Sequence, residues 1–345
     1  MNTNTQHTAK PTSAQNSHAE DVVELTVAKA INLALRHELE SDEKVMLMGE
    51  DIGSLGGVYR ITEGLKADFG PLRVVDSPLA ESGIVGTGIG LAIRGYKPVL
   101  EIQFDGFVFP AFNQITTQLA KMHSRSGGKI TAPVTIRIPY GGGIGSVEHH
   151  SESPEALFAH TAGLRILTPS NAHDAYWLTR QAIQSADPVI IFEPKRRYWL
   201  KGKVNLASPE LPREAAQVVR EGTDATIACY GPLVPVALAA ALAAEEENKS
   251  VEVIDLRSIS PVDYVTLAHS VEKTGRMIVA HEAPTFGGIG GEIASRLTEE
   301  LFLALEAPIV RVGGFHMPYP AAAIEDQYLP DIDRMLEALD RVFSY

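Results

Sequence analysis

Carboxylates and a histidine pair directly follow several short apolar runs of the sequence. Glu50, Glu81 and the pair His149–His150 each come shortly after such a run. Carboxyl and imidazole groups are the side chains that most often transfer protons in catalysis. If the runs are strands of an open α/β sheet, Glu81 and His150 lie past strand ends, where such sheets bind ligands, and are predicted to converge on one crevice. Plainer interpretations remain: Glu81 complements a helix dipole, Glu50 lies in a solvated loop, and a loop histidine is structural.

The histidine pair precedes a predicted helix start. Ser153 followed by Pro154 and Glu155 combines an N-cap, a first-turn proline and an acid matched to the helix dipole. A similar Ser-Pro pattern predicts that the helix holding Glu81 begins at Pro78. Adjacent side chains of an extended segment point in opposite directions, so the two histidines are expected not to share a metal, and at most one faces a pocket.

Two glycine-rich segments favour different interpretations. Segment 141–145 (GGGIG) follows a predicted strand and cannot hold regular structure, which predicts a turned loop at a carboxyl end where ligands bind. Gly86, Gly88 and Gly90 resemble part of a dinucleotide-binding pattern, but its third glycine would fall on Leu91. These glycines are therefore expected to let a buried helix pack closely against its neighbours.

Four phenylalanines lie close together in the sequence, at positions 104, 107, 109 and 112. Large aromatic rings bury much apolar area, so most of this group is expected in the core. One of the rings is also suited to stack on a planar ligand.

The elements that position these residues follow from the alternation of apolar runs and helical periodicity. Strands are predicted at 44–48, 73–75, 99–104, 134–138, 165–167, 189–192, 225–230, 251–256, 277–280 and 309–312. Helices are predicted at 25–39, 111–122, 172–186, 233–247, 263–273, 290–305 and from 331. Such alternation predicts an α/β fold of mainly parallel sheets with helices on both faces.

The chain length predicts two domains, since 345 residues exceed one compact core. The polar residues 1–22 are expected to be a disordered tail. We predict a first α/β domain at 23–202, a linker without periodicity at 203–213, and a second, smaller α/β domain at 214–345.

Charge and composition exclude several classes of partner. The net charge of −13 repels phosphate backbones and anionic lipids, so neither nucleic acid nor a membrane surface is expected to bind. The longest uncharged apolar stretch, 232–244, is too short to cross a bilayer. The lone Cys229, without Cys/His spacing of the zinc type, and the lack of a signal or transit pattern predict a cytoplasmic protein.

Several motifs, from about Val23 to the carboxyl end, together resemble one family. They are DSPLAESGIVGTGIGLAIRGYKPVLEIQF, FPAFNQI, HHSESPEALFAH, GLRILTPSNAHDA, FEPKRRYW, VIDLRSISP and HEAP. This series resembles the beta subunit of the thiamine-diphosphate-dependent 2-oxo acid dehydrogenases, the decarboxylating first component of multienzyme complexes. The resemblance implies a pyrimidine-binding domain followed by a transketolase C-terminal-like domain. It also implies a heterotetramer of two alpha and two beta subunits.

The resemblance assigns roles to four residues of this sequence. Glu81 matches the carboxylate that binds the aminopyrimidine ring of the cofactor and favours its imino tautomer. Phe107 matches the ring that stacks on the aminopyrimidine. His150 matches the histidine that serves proton and acyl transfer to the lipoyl group of the transacylase component. Glu50 resembles the acid near the passage between paired active sites.

The family's diphosphate and Mg²⁺ motif, GDG followed by Asn, does not occur in this chain. The resemblance therefore implies that the alpha subunit holds Mg²⁺ and the diphosphate half of the cofactor. Some members also hold a structural potassium ion near the segments matching Val134, Ala182 and Asp187. Here Ser185 stands at the position of a usual acidic residue, which argues against a potassium site.

The substrate implied by the resemblance is a small 2-oxo acid. The segments FEPK and HSESPEA are more similar to the branched-chain members, which act on 3-methyl-2-oxobutanoate, also called 2-oxoisovalerate, and its homologues. Pyruvate-type or acetoin-type beta subunits are the alternative within the family. A non-catalytic scaffold subunit is the alternative from another class, and it would need neither Glu81 nor His150.

Overall fold

The computed structural model of the chain describes residues 21–345. The strands are β1 (Val22–Thr26), β2 (Val45–Gly49), β3 (Val74–Asp76), β4 (Lys97–Glu101), β5 (Thr135–Tyr140), β6 (Arg165–Leu167), β7 (Val189–Pro194), β8 (Lys201–Asn205), β9 (Gln217–Arg220), β10 (Ala225–Cys229), β11 (Val251–Asp255), β12 (Ser258–Ser260), β13 (Met277–Pro284) and β14 (Val310–Gly314). The α-helices are α1 (Val27–Ser41), α2 (Leu65–Phe69), α3 (Glu81–Ile93), α4 (Met122–Arg125), α5 (Glu155–Ala159), α6 (Ala172–Ile183), α7 (Val234–Glu245), α8 (Tyr264–Thr274), α9 (Ile289–Leu301), α10 (Glu325–Tyr328) and α11 (Ile332–Phe343).

Two mainly parallel sheets organise these elements. The larger sheet has seven strands in the order β12-β6-β7-β5-β4-β2-β3, and only β12 runs antiparallel to its neighbour. The other has the order β14-β13-β10-β11-β9, with β9 antiparallel. These sheets, wrapped by helices, confirm the predicted fold class.

Helices cover both faces of the larger sheet. Val45 and Leu47 of β2 share an apolar cluster with α1 and α6, whereas Met46 and Met48 lie in the cluster that includes α3. Side chains alternate across a strand, so a strand covered on both faces is apolar throughout, as β2 is. Each helix in the described part of the chain is too short or too polar to cross a bilayer.

Local sequence signals predict several helix starts and one close contact correctly. The side chains of Thr26, Asp263 and Asp331 each cap the helix that follows them, accepting a hydrogen bond from a backbone N–H of its first turn. A Cβ added to Gly88 of α3 would lie 2.6 Å from the side chain of Leu100. The expectation that glycine allows close packing is therefore confirmed for Gly88 but wrong for Gly86 and Gly90, where an added Cβ would meet no atom within 4 Å.

The predicted tail and linker are partly wrong, because β1 and β8 pair as an antiparallel ribbon. The predicted linker 203–213 begins inside β8, and Val22, assigned to the tail, lies in β1. Both strands are partly exposed and lack a continuous apolar run, which is why periodicity missed them. The rest of the predicted tail, residues 1–20, lies outside the described residues.

The predicted helix 111–122 has a different form. The chain makes a 3₁₀ helix at Asp105–Ala111, a π-helical segment at Gln114–Leu119 and the short α4. Apolar spacing over two turns does not distinguish these forms, because their repeats differ from that of an α-helix by less than one residue per turn.

The two domains share a core. Ile138 of β5 and Ile254 of β11 belong to the same apolar cluster, and β12 extends the larger sheet beside β6. The buried guanidinium of Arg257 donates to Asp174 Oδ1 at 2.8 Å across the interface. The second domain therefore packs directly on the first and binds the first turn of α6.

Candidate active site

Four parallel strands bring the predicted site residues to one edge of the larger sheet. β3, β2, β4 and β5 lie side by side in this order and run in the same direction. Glu81 follows β3, Glu50 follows β2, Phe107 follows β4 and His150 follows β5. All four residues therefore come after the carboxyl ends of adjacent strands, where sheets of this kind bind ligands.

Glu81 is the first residue of α3 and is only 8% exposed. The helix begins at Glu81 rather than at Pro78, and Ala80 at its N-cap provides no side-chain hydrogen bond, so the predicted cap is wrong. Within residues 21–345, no ion pair or side-chain hydrogen bond involves the Glu81 carboxylate. Its oxygens are not fully shielded from solvent, so the carboxylate is free to accept a hydrogen bond from a ligand at the sheet edge.

Glu50 lies close to this carboxylate. Burial and the negative charges of Asp51 and Glu81 raise the pKa of Glu50 above its ordinary value. The N–H of Ser77 donates to the carbonyl of Gly49 at 2.9 Å, which holds the segment before α3 against the end of β2. The two carboxyl groups therefore share one part of the sheet edge, and the negative charge of Glu81 favours the protonated form of Glu50.

The two histidines lie in a group of aromatic rings. The ring centroid of His150 is 4.1 Å from that of Phe104 and 5.2 Å from that of Phe107. His149 and His150 have centroids 4.3 Å apart, because residues Glu148–His150 form a 3₁₀ turn. The expectation that they point in opposite directions is wrong, since the alternation holds only for extended backbone.

The environment of His150 keeps its imidazole neutral. Burial lowers the pKa of His150, and the positive charges of His149 and Lys195 lower it further. Its Nδ1 is buried and has no hydrogen-bond partner among the described residues. A neutral imidazole with a free nitrogen can accept a proton near neutral pH.

The segment after the histidines departs from its predicted cap. α5 begins at Glu155 with Pro154 at its N-cap, and no side chain caps it. The hydroxyl of Ser153 instead donates to Glu282 Oε1 of the second domain at 3.4 Å. The glycine loop 141–145 is likewise bound by the protein itself, since its amides donate to carboxylates of the second domain.

The segment considered for potassium is occupied by internal contacts. The carboxylate of Asp187 lies 3.3 Å from Arg165 Nη2 and 3.0 Å from His123 Nδ1. The backbone N–H of Asp187 donates to Ser185 Oγ at 3.2 Å. No group of three or more His, Cys, Asp or Glu residues in the described part of the chain is placed to hold a metal ion. The lack of a potassium site stays a prediction.

Comparison with known proteins identifies the family. The family description "Transketolase, pyrimidine binding domain" matches residues 23–199, and "Transketolase, C-terminal domain" matches residues 214–335. The pyruvate dehydrogenase E1 component subunit beta of Leifsonia xyli subsp. xyli is 58% identical over 94% of this chain and 96% of that protein. The chain belongs to the E1 beta-subunit family of the 2-oxo acid dehydrogenases.

Other E1 beta proteins and one solved structure are also similar to it. The 3-methyl-2-oxobutanoate dehydrogenase subunit beta of Mycobacterium tuberculosis is 51% identical over 92% of each chain. The structure named "Split gene transketolase, inactive beta4 tetramer" has a TM-score of 0.76 and 22% identity, covering 93% of this chain and 98% of that one. The last likeness supports the fold.

Sequence reasoning missed a buried lysine beneath the histidines of this E1 beta-family chain. Lys195 follows β7, has a fully buried side chain, forms an ion pair with Asp105, and donates to the carbonyl of His150 at 2.5 Å. Burial raises the pKa of Asp105 to about 6 and lowers that of Lys195, although each charge attracts the other. The sequence does show a lysine directly after a buried apolar strand. It does not show the partner of that lysine, because Asp105 lies 90 residues away.

A second buried ion cluster joins β4, β5 and β7. Arg137 donates to Glu101 Oε2 at 2.6 Å and to Glu193 Oε1 at 2.7 Å, and Tyr198 donates to Glu193 at 2.6 Å. All four side chains are buried. The two charged residues of the FEPK segment, Glu193 and Lys195, therefore form buried ion pairs with residues of β5 and of the 3₁₀ helix after β4.

Proposed function

We propose that this chain is the beta subunit of a heterotetrameric 2-oxo acid dehydrogenase. In this proposal the enzyme decarboxylates a branched-chain 2-oxo acid with thiamine diphosphate and reductively acylates the lipoyl group of a transacylase. The supporting observation is the largely buried Glu81, whose carboxylate has no partner among the described residues, at the same sheet edge as the packed rings of Phe107 and His150. A scaffold subunit would need none of these features.

The side chains at this edge fit the aminopyrimidine half of the cofactor. Thiamine diphosphate supplies, when bound, a thiazolium carbon that becomes a nucleophile after losing a proton. Glu81 would accept a hydrogen bond from the ring nitrogen of the aminopyrimidine, and Phe107 would pack on that ring. His150 would accept and return a proton during acyl transfer. Glu50, whose pKa is raised, would exchange protons near the passage between paired sites.

The other half of the cofactor site is assigned to an alpha subunit, because the sequence has no GDG motif. Calorimetry should show weak binding of thiamine diphosphate with Mg²⁺ to this chain alone, and the chain alone should not decarboxylate 2-oxo acids. Mixing with an alpha subunit should produce both tight binding and turnover, and the alpha subunit alone is the control. Turnover by the single chain would contradict the proposal, whereas an assembled but inactive heterotetramer would favour the scaffold alternative.

The choice of substrate rests on sequence similarity. FEPK and HSESPEA favour a branched-chain acid, but the side chains of Glu193 and Lys195 are fully buried in ion pairs. The 58% identical pyruvate dehydrogenase relative favours pyruvate as the second candidate.

A panel of 2-oxo acids assayed with the reconstituted heterotetramer distinguishes the two substrates. We expect the highest kcat/KM with branched acids, an intermediate value with 2-oxobutyrate and a low value with pyruvate. A ten-fold advantage for pyruvate would reverse the assignment, since one methylene discriminates by about 1–3 kcal/mol.

A further inference from the structure

The loop that leads to the histidine pair is held by carboxylates of the second domain. The N–H of Gly142 donates to Glu282 Oε1 at 2.5 Å. The N–H groups of Gly143 and Gly145 donate to the two oxygens of Glu325 at 2.9 Å and 3.0 Å. Amides of successive loop residues form a concave anion-binding site, and here the anion comes from the same chain.

Both carboxylates are themselves fixed in position. Glu325 is 5% exposed and accepts a hydrogen bond from the hydroxyl of Tyr319 at 2.6 Å. Burial opposes its ionisation, but hydrogen bonds from Tyr319 and the loop amides outweigh burial and lower the pKa of Glu325. Glu282 is 3% exposed and lies 3.0 Å from the guanidinium of Arg196. The loop therefore binds to a rigid, charged surface.

Tyr319 also contacts the loop directly. A Cβ added to Gly142 would lie 1.8 Å from its hydroxyl oxygen, so no larger residue fits there. A cavity of about 230 Å³ lies beside this contact, between the two domains, and Ser151 and Glu282 line it. The segment between the glycines and the histidines thus depends on the second domain for its position.

The segment 141–150 is anchored at its glycines and at its histidines. The second domain binds the glycines, and Lys195 binds the carbonyl of His150. Between these anchors the side chains of Val147 and Glu148 are more than half exposed, whereas the backbone of His149 packs against Gly106. Few packing contacts can hold the middle of the segment, so loss of either anchor should let it move.

We infer that Glu325 is a positioning residue that holds the loop so that His150 lies correctly for acyl transfer. The acyl-transfer part of this inference rests on the proposed function. Glu81 belongs to α3, which the hydrogen bonds from the loop amides to Glu325 do not involve. We therefore expect decarboxylation to depend less on Glu325 than acyl transfer does. The second domain therefore controls the two half-reactions unequally.

The test uses Glu325→Gln in the reconstituted heterotetramer. Glutamine keeps the shape and one accepting oxygen, but it loses the charge and one loop hydrogen bond. Asp326→Asn is the matched control, because this neighbouring carboxylate is exposed. We expect amide hydrogen exchange in peptides covering 141–150 to rise about ten-fold, as expected for the loss of one charge-assisted hydrogen bond. Peptides from β10 should be unchanged.

The activity readout compares two assays. Acylation of the lipoyl domain should fall about ten-fold in Glu325→Gln, while turnover with an artificial electron acceptor should fall less than two-fold. Tyr319→Phe should give a smaller change in the same direction, and Glu325→Ala a larger one. A merely structural role would lower the unfolding temperature and leave the ratio of the two assays unchanged.

Each outcome decides one part of the inference. Unchanged exchange in 141–150 overturns the anchoring role, and equal losses in the two assays overturn the role in acyl transfer. A wild-type heterotetramer inactive on every 2-oxo acid overturns the proposed function and the acyl-transfer part. In that case, faster exchange in Glu325→Gln would still support the anchoring role.

Discussion

Glu81 is the residue at which the proposed function is most directly tested, because it is largely buried at the start of α3 and its carboxylate has no protein partner in the described chain. Replacement by Gln keeps its size and removes its charge. Decarboxylation by the heterotetramer should fall about 10²–10⁴-fold, the contribution of positioned acid–base catalysis, with little change in the free energy of unfolding. Steady-state kinetics and urea unfolding measure the two effects.

The control for Glu81→Gln is Glu63→Gln, which alters an exposed acid between β2 and β3. This control should retain full activity. Turnover by Glu81→Gln equal to that of the wild type would return Glu81 to the role of a helix-dipole partner.

His150 is the residue whose loss should separate the two half-reactions. Its neutral imidazole suits proton transfer, and the resemblance places it at acyl transfer. His150→Ala should therefore reduce acylation of the lipoyl domain more than it reduces turnover with an artificial electron acceptor. Losses that are equal in both assays would contradict this assignment.

The control for His150→Ala is His160→Ala, because His160 is exposed and lies just after α5. His149 does not serve this purpose, since its ring contacts that of His150. Removing His149 should itself raise the pKa of His150, because the positive charge of His149 lowers the pKa of His150. A titration of His150 followed by NMR would show this shift.

At the scale of elements, Lys195 joins the turn after β7 to the 3₁₀ helix after β4 through Asp105. Lys195→Met would leave the carboxylate of Asp105 buried without its cation. We expect a loss of about 3–5 kcal/mol in the free energy of unfolding, the usual cost of breaking a buried pair from one side. Urea denaturation measures this loss.

Two further variants make the Lys195 test specific. Lys201→Met, in the exposed part of β8, should change stability by less than about 0.5 kcal/mol. The double variant Lys195→Met with Asp105→Asn should lose less than the sum of the single losses, because the groups are in direct contact. A single-variant loss below about 1 kcal/mol would show that the pair contributes little.

At the scale of the whole molecule, Glu155 joins the domains and makes stability depend on pH. Tyr230 of the second domain donates to Glu155 Oε1 at 2.7 Å, and Oε2 is buried without a partner among the described residues. Burial raises the pKa of Glu155 from 4.5 to about 7, although the hydrogen bond from Tyr230 opposes this. A folded-state pKa above the unfolded one favours folding at low pH, and this contribution is lost as pH rises towards 7.

Glu155→Gln should remove this dependence, since Gln does not titrate. The free energy of unfolding of the variant relative to wild type should rise by about 1.4 kcal/mol per pH unit between pH 4.5 and 7, and then level off. Urea unfolding at several pH values measures the difference. Parallel curves for the two proteins would show that Glu155 has the same pKa in the folded and unfolded states.

The sequence by itself determined most of the buried strands and longer helices, and the edge at which the site lies. Buried strands such as β2 and β5 are short apolar runs, and Asp263 and Asp331 cap their helices through local hydrogen bonds. Since parallel strands end at one edge, residues after those strands were predictable neighbours. These features depend on a few adjacent residues, which a local pattern contains.

Only the tertiary structure decided which polar groups became partners. Ser153 follows the capping pattern, yet its hydroxyl contacts Glu282, which lies 129 residues away. Lys195 and the glycine loop likewise depend on carboxylates from distant segments. A buried polar group must find a partner wherever packing places one, and that choice depends on how the two sheets pack together rather than on neighbouring residues.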